Sequence, residues 1–297
     1  FPFYIARRYL FSKKKHNAIN IISGISVCGV ALATLALVCT LSVFNGFQDM
    51  VASFFTAFDP QLKITVREGK VFDAQDERIR AVCALPEVEV FTETLEENAM
   101  VQYKDRQAMV VLKGVEDNFE ELTAIDSILY GAGEFVLHDS IVNYGVMGVE
   151  LVATLGTGLE FVDPLQVYLP KRNAKVNMAN PGASFNRDYL YSPGVVFVVN
   201  QQEYDGKYIL TSLDFLRQLL DYTTEVSAME LKLKSNVNTS SVQSKIENIL
   251  GDDFVVQNRY QQQADIFRIM EIEKLISYLF LTFILMIACF NVIGSLS

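Results

Sequence analysis

The chain has 297 residues, a formal net charge of −10 and a mean hydropathy of +0.23. This acidic balance argues against nucleic acid as a partner, because negative charge repels phosphates. Of the four cysteines, only Cys83 lies outside two long apolar segments, which excludes a disulfide framework in the region between them.

The first apolar segment follows a basic N-terminus. Residues 1–17 contain five Lys and Arg residues and no acidic residue, and no charged residue occurs from Ala18 to Phe47. A bilayer core requires about 20 apolar helical residues, so we predict a transmembrane helix over residues 18–44. A cleaved signal peptide would have a shorter apolar core and an Ala-x-Ala site. Because basic flanks stay in the cytoplasm, residues 1–17 are placed there and residues 45–270 outside.

Small residues occur at helical spacing in this segment. Gly29 and Ala33 form a small-xxx-small pair, which lets helices approach closely in lipid. We predict that they pack against another span of the same protein or of a second copy. Apolar residues from Phe44 to Phe58 continue the helical spacing. This pattern fits either a rigid stalk that carries motion outward or an ordinary interfacial helix end.

A strand–helix–strand unit follows. Residues 62–68 alternate between polar and apolar in the manner of a strand, residues 73–85 have helical spacing, and residues 88–96 again read as a strand. Residues 108–115 predict a further strand, which would form a hairpin with the one before it.

A second unit of the same kind appears far along the chain. Residues 228–234 predict a strand, Thr239 or Ser240 is expected to cap the next helix, Gly251 ends that helix, and residues 254–257 form the last strand. Two such units are able to share one sheet of the split βαβ type.

The residues between the two units, about 116–225, then form an inserted subdomain. Its strand candidates are residues 165–170 and 195–200. Between these lies a long irregular stretch, residues 171–192, which exceeds the usual length of a passive loop.

The second apolar segment is at the end of the chain. No charged residue occurs from Leu275 to Ser297, and we predict the start of a second transmembrane helix over residues 271–297. The chain begins without Met and ends inside an apolar helix, so we expect a longer protein with further spans.

Motifs that carry enzymatic chemistry are absent from this sequence. It contains no GxxxxGK[ST], GxSxG or HExxH pattern. Its two histidines, His16 and His138, are predicted on opposite sides of the membrane. We therefore assign no catalytic, cofactor-binding or metal-binding residue, and we expect a non-enzymatic protein. Neither apolar segment contains an ionisable Asp, Glu, Lys, Arg or His that would suit an ion-coupled pump.

Several segments, taken in order, carry a family resemblance: YIARRYL (4–10), the apolar run that ends in SVFNGF, GVELVATLG (148–156) before DPLQVYLP (163–170), VVFVVNQQEYDGKYILTSLDFLRQLL (195–220), and the final residues 271–297. Together they resemble the permease subunits of type VII ABC transporters, the MacB/FtsX superfamily. Within it, lipoprotein-releasing permeases of the LolC/LolE type are the most similar. One departure is Val162-Asp163, where the family often has Gly-Asp.

This resemblance implies an α+β membrane protein whose transmembrane helices, with stalk extensions, flank a large periplasmic domain. It implies a ferredoxin-like Porter subdomain at about 60–115 and 226–257, a Sabre-like insert at about 116–225, and an FtsX-like permease domain that starts near 271. It also implies four spans in the inner membrane.

The resemblance further implies partners. These are a cytoplasmic ABC ATPase that binds ATP and Mg²⁺, a second permease copy or paralogue, membrane lipid, a lipoprotein cargo and a periplasmic carrier. The position of the irregular stretch matches the loop that hooks the carrier in LolC. The candidate docking residues are Asn177, Met178, Pro181, Gly182 and Phe185.

Other functions fit the same architecture. One is a MacB-like exporter of antimicrobials or peptides, and another is an FtsX-like activator of a cell-wall hydrolase, although external domains of the FtsX type are much smaller. A third is a membrane receptor or scaffold that transports nothing.

Overall fold

The computed structural model describes residues 4, 17–53, 58–172 and 184–296. The chain divides into two compact units, Phe1–Phe54 with Gln263–Ser297, and Phe55–Gln262. The helices and strands are, in chain order, α1 (Asn17–Ser53), β1 (Leu62–Val66), β2 (Phe72–Asp73), α2 (Glu77–Cys83), β3 (Val88–Tyr103), β4 (Arg106–Val115), α3 (Phe119–Leu122), β5 (Leu129–Gly131), β6 (Val146–Met147), α4 (Val149–Leu155), β7 (Leu165–Pro170), β8 (Phe185–Leu190), β9 (Val195–Phe197), α5 (Gln202–Asp205), β10 (Tyr208–Ser212), α6 (Leu213–Leu220), β11 (Glu225–Val226), β12 (Ala228–Leu233), α7 (Thr239–Leu250), β13 (Phe254–Asn258), α8 (Arg259–Gln262) and α9 (Ala264–Leu296).

The helical unit consists mainly of α1 and α9, which contact each other. Helix α1 has 37 residues, which corresponds to about 55 Å at a rise of about 1.5 Å per residue. Among the described residues, one stretch, Val27–Gly46, is long and apolar enough to cross a membrane; its mean hydropathy is 2.4 and 6% of it is buried. It overlaps the predicted first span, and the second span remains a prediction.

Both long helices extend beyond their apolar parts. Helix α1 continues past Gly46 to Ser53, and α9 begins at Ala264, well before the uncharged segment that starts at Leu275. This continuity is what the predicted stalk extensions require.

The larger unit is built on a nine-stranded mixed sheet. Its main path runs β13-β1-β12-β3-β4-β10-β6, and the β7–β8 hairpin joins it through β3. Each of the first four strands in this path is antiparallel to its neighbours within that set, and all four come from the two predicted strand–helix–strand units. The predicted sharing of one sheet in the split βαβ manner is therefore confirmed.

Alternation along the strands separates the two faces of this sheet. Leu62 and Ile64 of β1, with Leu231 of β12, are fully buried in one apolar cluster with residues of α2 and α7, such as Ile79. The residues between them, including Lys63, point to the other face. Charged residues in these strands are thus directed away from the two helices.

The inserted region extends the sheet and then leaves it. Strand β10 pairs parallel to β4, and β6 pairs antiparallel to β10. Helix α6 packs closely on β4: a Cβ atom added at Gly114 would lie 2.9 Å from Leu216 Cδ1 and 3.1 Å from Leu213 Cα. Glycine at this position permits the close approach of the helix to the strand.

The sequence predicts an irregular stretch over residues 171–192, and this prediction is wrong for residues 185–190. Residues Phe185–Leu190 form β8, which pairs antiparallel with β7 over its full length, from Leu165↔Leu190 to Pro170↔Phe185. The polar composition of β8 hid this strand, because three of its six residues are Asn, Arg and Asp. Residues 173–183 lie outside the described part of the chain.

Two strand predictions differ from the structure by three residues or more, and the others by at most two. Strand β3 continues to Tyr103, well beyond the predicted end at residue 96, because β4 and β7 both pair with its second half. Strand β9 ends at Phe197 rather than at residue 200.

The predicted cap of α7 is wrong by one or two residues. Asn238, not Thr239 or Ser240, is the N-cap, and its Oδ1 accepts hydrogen bonds from the amides of Ser240 at 3.0 Å and Ser241 at 3.3 Å. An amide side chain on the last non-helical residue reaches the free N–H groups of the first turn. Gly251 ends the helix as predicted.

Replacement of Asn238 by Ala should lower the free energy of unfolding by about 1 kcal/mol, because two amides of the first turn lose their acceptor. Ser240→Ala is the matched control and should have little effect. Thermal unfolding of the full chain in detergent, followed by circular dichroism, measures both. A larger loss in the Ser240 variant would show that Ser240 is the cap.

Candidate functional site

The segment that follows α1 is anchored in the core of the larger unit. The ring of Phe58 is buried and lies 4.9 Å from the rings of both Phe197 and Tyr204, and 5.9 Å from that of Tyr208. Pro60 is incompatible with continuation of a helix. Phe58 is therefore held in the apolar core at the start of this unit.

The segment that precedes α9 is tied to the same place. Arg259 Nε donates to the backbone oxygen of Asp59 at 2.9 Å, and Gln262 Nε2 donates to that of Pro60 at 3.1 Å. The Tyr204 hydroxyl donates to Asp59 Oδ1 at 3.3 Å. We call residues 58–62 and 259–262 the helix joints, because α1 leads to the first segment and α9 follows the second.

A network of alternating charges lies on the sheet beside the helix joints. Its members come from four adjacent strands: Lys63 on β1, Glu230 on β12, Glu96 on β3 and Lys113 on β4. Lys113 Nζ lies 2.6 Å from Glu230 Oε1 and 3.6 Å from Glu96 Oε1. Lys63 Nζ lies 3.2 Å from the same Glu96 oxygen. Opposite charges thus link four neighbouring strands on one face.

The centre of this network is isolated from water. Lys113 is 1% exposed and Glu230 is 0% exposed. The Lys113 ammonium lies 5.7 Å from the ring centroid of Phe58 and 5.6 Å from that of Phe119, within the range of cation–π attraction. Glu230 Oε2 has no hydrogen-bond partner in the described part of the structure. The Lys113 ammonium is therefore the main compensation for this buried carboxylate.

The surroundings favour the charged forms of Glu96 and Lys63. Burial by itself would raise the pKa of Glu96, but the ammonium groups of Lys63 and Lys113 outweigh this effect and lower the pKa to about 2. Burial by itself would lower the pKa of Lys63. The nearby carboxylates of Glu96 and Glu230 outweigh this effect, so the pKa of Lys63 is raised. Burial raises the pKa of the Tyr208 hydroxyl, which stays protonated and donates to Glu96 Oε2 at 3.4 Å.

This arrangement is suited to mechanical work rather than to covalent chemistry. Sliding of one strand against its neighbour would separate buried opposite charges, which costs several kcal/mol per pair. In the described residues, no three His, Cys, Asp or Glu side chains are positioned to hold a metal ion. The network and the helix joints are in contact, since the Lys113 ammonium lies 5.7 Å from the ring centroid of Phe58.

The sequence did not predict this site. Its only signal was Lys113, the single charge in the otherwise apolar strand AMVVLKGV. Lone charges of this kind indicate a buried partner. Which residue is the partner depends on the strand order, which cannot be read from one strand.

The structure describes one of the five predicted docking residues. Phe185 is the first residue of β8 and pairs with Pro170. The other predicted residues lie outside the described part of the chain; they are Asn177, Met178, Pro181 and Gly182.

The base of this hairpin is well anchored. The Lys171 amide donates to the Ser184 carbonyl at 2.9 Å, and Asn186 Nδ2 donates to the Leu219 carbonyl at 2.7 Å. The Arg172 guanidinium lies 5.1 Å from the ring centroid of Tyr222. These contacts hold the two strand ends at the base of the hairpin in place.

The predicted helix-packing pair lies in the middle of α1. Ala33 is buried and Gly29 is half-buried. A Cβ atom added at Gly29 would meet no atom within 4 Å. Contact of this pair with a second copy or another span remains a prediction.

The chain is similar to several known proteins. A sequence model of the MacB-like periplasmic core domain matches residues 23–249. The lipoprotein-releasing system transmembrane protein LolE of Haemophilus influenzae is 22% identical over 99% of this chain and 70% of its own length. LolC of Neisseria meningitidis serogroup B is 24% identical over 99% of this chain and 69% of its own length. The crystal structure of the periplasmic region of MacB from Actinobacillus actinomycetemcomitans superposes with a TM-score of 0.46 at 11% identity, over 69% of this chain and 91% of that structure.

Replacement of Lys113 by Met should lower the free energy of unfolding by about 3–5 kcal/mol, because the Glu230 carboxylate remains buried without its cation. The double variant Lys113→Met with Glu230→Met should recover most of this loss, since neither charge is then buried. Denaturant unfolding of the full chain in detergent, followed by circular dichroism, provides the measurement.

Lys232→Met is the matched control for this experiment. Lys232 pairs with Glu89 at 3.5 Å on the surface, and exposed pairs contribute less than about 1 kcal/mol. A Lys113 variant no less stable than the Lys232 variant would contradict the role given to the buried network.

Proposed function

We propose that this chain, which belongs to the family of MacB-like periplasmic core domain proteins, is a permease subunit of an ABC transporter that releases lipoproteins from the bacterial inner membrane. The subunit has no catalytic role in this proposal. A separate cytoplasmic ATPase binds and hydrolyses ATP with Mg²⁺. A second permease copy or a paralogue completes the membrane part.

One observation carries this proposal. LolC and LolE, whose names describe a lipoprotein-releasing system, align with this chain over nearly its whole length, from the basic N-terminus through the external domain to the final helix. A relative that shared only the periplasmic domain would support the family but not this function. The colinear match supports a permease of the Lol type over a MacB-like exporter or a receptor.

The proposed topology has two spans in this chain. Residues 18–44 and 271–297 cross the inner membrane, residues 1–17 are cytoplasmic, and residues 45–270 are periplasmic. Large apolar side chains are exposed on both long helices, among them Leu35 and Val43 on α1 and Leu279, Phe280 and Phe283 on α9. Such surfaces are stable in lipid and unfavourable in water, which supports the second span.

In the proposed organisation, the split βαβ part of the sheet is the Porter subdomain, and the region of about 116–225 is the Sabre-like insert. The hairpin loop between β7 and β8, with Asn177, Met178, Pro181, Gly182 and Phe185, docks a periplasmic lipoprotein carrier. The anchored base of this hairpin supports the role, since a docking loop must be held firmly to orient its partner.

The charge network and the helix joints provide the coupling. A change that the ATPase imposes on the membrane helices reaches residues 58–62 through α1 and residues 259–262 through α9. Both joints hold the same sheet through Asp59, Arg259 and the charge network beside them. The rigid sheet then moves as one body and acts on the lipid-anchored cargo in the outer leaflet of the inner membrane.

Depletion of the protein in its own bacterium should cause outer-membrane lipoproteins to accumulate in the inner membrane. Membrane fractionation after a pulse of labelled lipoprotein measures this, and a plasmid-borne copy of the gene should restore release. Release of lipoproteins at the normal rate in depleted cells would contradict the proposed lipoprotein-releasing function. If the depleted cells instead fail to secrete an antimicrobial or a peptide, the result would favour the MacB-like alternative.

Removal of the hairpin loop should abolish cross-linking to a soluble lipoprotein carrier. The deletion must stop at residue 183, because Phe185 pairs with Pro170 and Asn186 bonds to Leu219; a deletion that reached residue 187 would damage the fold. Residues 174–183 are therefore replaced by a Gly-Gly turn. An unchanged unfolding curve shows that the domain is intact, and Tyr130→Ser, at a different exposed site, is the control. Undiminished cross-linking would reject the loop as the docking site.

A further inference from the structure

Strand β13 forms one end of the nine-stranded sheet. Among the described strands it pairs with β1 alone. A strand in this position presents backbone N–H and C=O groups to which another polypeptide can pair, and sheet edges are commonly protected by a charge, a proline or a bulge. The sequence of β13, FVVQN, contains neither a charged residue nor proline, and its pairing with β1 continues without a bulge. The usual protections are therefore missing from this strand.

The register with β1 identifies the backbone groups on the free side of β13. The Arg67 amide donates to the Asp253 carbonyl at 2.8 Å, in the same register as the five paired residues that follow Asp253. Hydrogen-bonded and non-hydrogen-bonded pairs alternate along an antiparallel ladder. The amides and carbonyls that point away from β1 are therefore those of Phe254, Val256 and Asn258.

Side-chain amides occupy two successive positions on this free side. Gln243 of α7 is 7% exposed, and its Nε2 donates to the Val256 carbonyl at 2.9 Å. The backbone amide of Asn258 donates to Gln261 Oε1 of α8 at 3.0 Å. A backbone acceptor and a backbone donor that a further strand would need are thus already bonded within the chain.

The same amide side chains also hold one another. Gln243 Nε2 donates to Gln261 Oε1 at 2.8 Å, and Asn258 Nδ2 donates to Gln243 Oε1 at 3.1 Å. Asn258 Oδ1 accepts from the backbone amide of Gln261 at 3.0 Å. We call Gln243, Asn258 and Gln261 the edge cluster, and it connects α7, β13 and α8.

We propose that the edge cluster is a lock that prevents β13 from adding a strand of another polypeptide. Such a strand would need the Val256 carbonyl and the Asn258 amide, and it would meet the Gln243 and Gln261 side chains that lie across the edge. A side-chain amide carries both a donor and an acceptor, so it occupies backbone groups of either kind. This role of the helix joint at residues 259–262 does not depend on the proposed transport function.

The test measures how tightly the full chain in detergent binds a fluorescent strand peptide. The peptide QLKITVR has the sequence of residues 61–67, which include β1, the strand that pairs with the other side of β13. The double variant Gln243→Ala with Gln261→Ala should bind it about tenfold more tightly than the parent chain, because two backbone groups become available for pairing. A peptide with proline at its third and fifth positions cannot form the ladder and should bind to neither chain.

A second variant covers the case in which the double variant does not fold. Gln243→Met fills a similar buried volume but carries no amide, so the Val256 carbonyl is released while the packing of α7 is kept. It should bind the strand peptide more tightly than the parent chain, by a smaller factor than the double variant. Circular dichroism of each variant shows whether it is folded.

Asn238→Ala is the matched control for lost stability. It weakens the first turn of the same helix, α7, and leaves the edge cluster intact. Its affinity for the strand peptide should equal that of the parent chain. A cluster with a purely structural role would lower stability without changing this affinity. Equal affinity of the parent chain and the folded variants, an equal gain in the Asn238 variant, or binding of the proline peptide would each overturn the proposal.

Discussion

The rest of the structure depends on the burial of Lys113 against Glu230. Two charges removed from water are tolerated only when they meet each other, and here the ammonium and the carboxylate are 2.6 Å apart on strands that lie on either side of β3. A slip of one residue in either strand would direct one charge to the opposite, apolar face of the sheet, which α2 and α7 cover at β12 and α6 covers at β4. The pair therefore specifies the register of the central sheet, in addition to any stability that it contributes.

This constraint explains how the chain accommodates a long insertion. The chain leaves the split βαβ part of the sheet after β4 and returns to it at β12. Strand β3 lies between these two strands and pairs with both. Glu96 on β3 bonds to Lys63 and contacts Lys113, so the same network spans the place where the insertion begins and ends. The insert carries the hairpin loop without disturbing the strands that hold the helix joints.

Many elements were predictable because their signals are local. Alternation in residues 228–234 and helical spacing in residues 73–85 identified their elements, since one face of each is buried. Strand β8 was missed because Asn186, Arg187 and Asp188 resemble a loop, and only its pairing with β7 makes it a strand. The cap of α7 was misplaced because Asn, Thr and Ser are all good caps in sequence, and backbone geometry alone selects Asn238.

The sequence by itself determined the apolar helix near the N-terminus, the acidic character of the region between the two apolar segments, the two strand–helix–strand units and the family resemblance. These features follow from composition and short-range periodicity, which one segment displays without reference to another. Tertiary structure decided which charges meet, how both helix joints reach one sheet and which amide side chains cover the free edge of β13. Lys63, Glu96, Lys113 and Glu230 are spread over more than 160 positions of the chain, and only the antiparallel order of their strands brings them into contact. The apolar helix near the N-terminus was thus evident from the sequence, whereas the buried charge network became visible only in the folded chain.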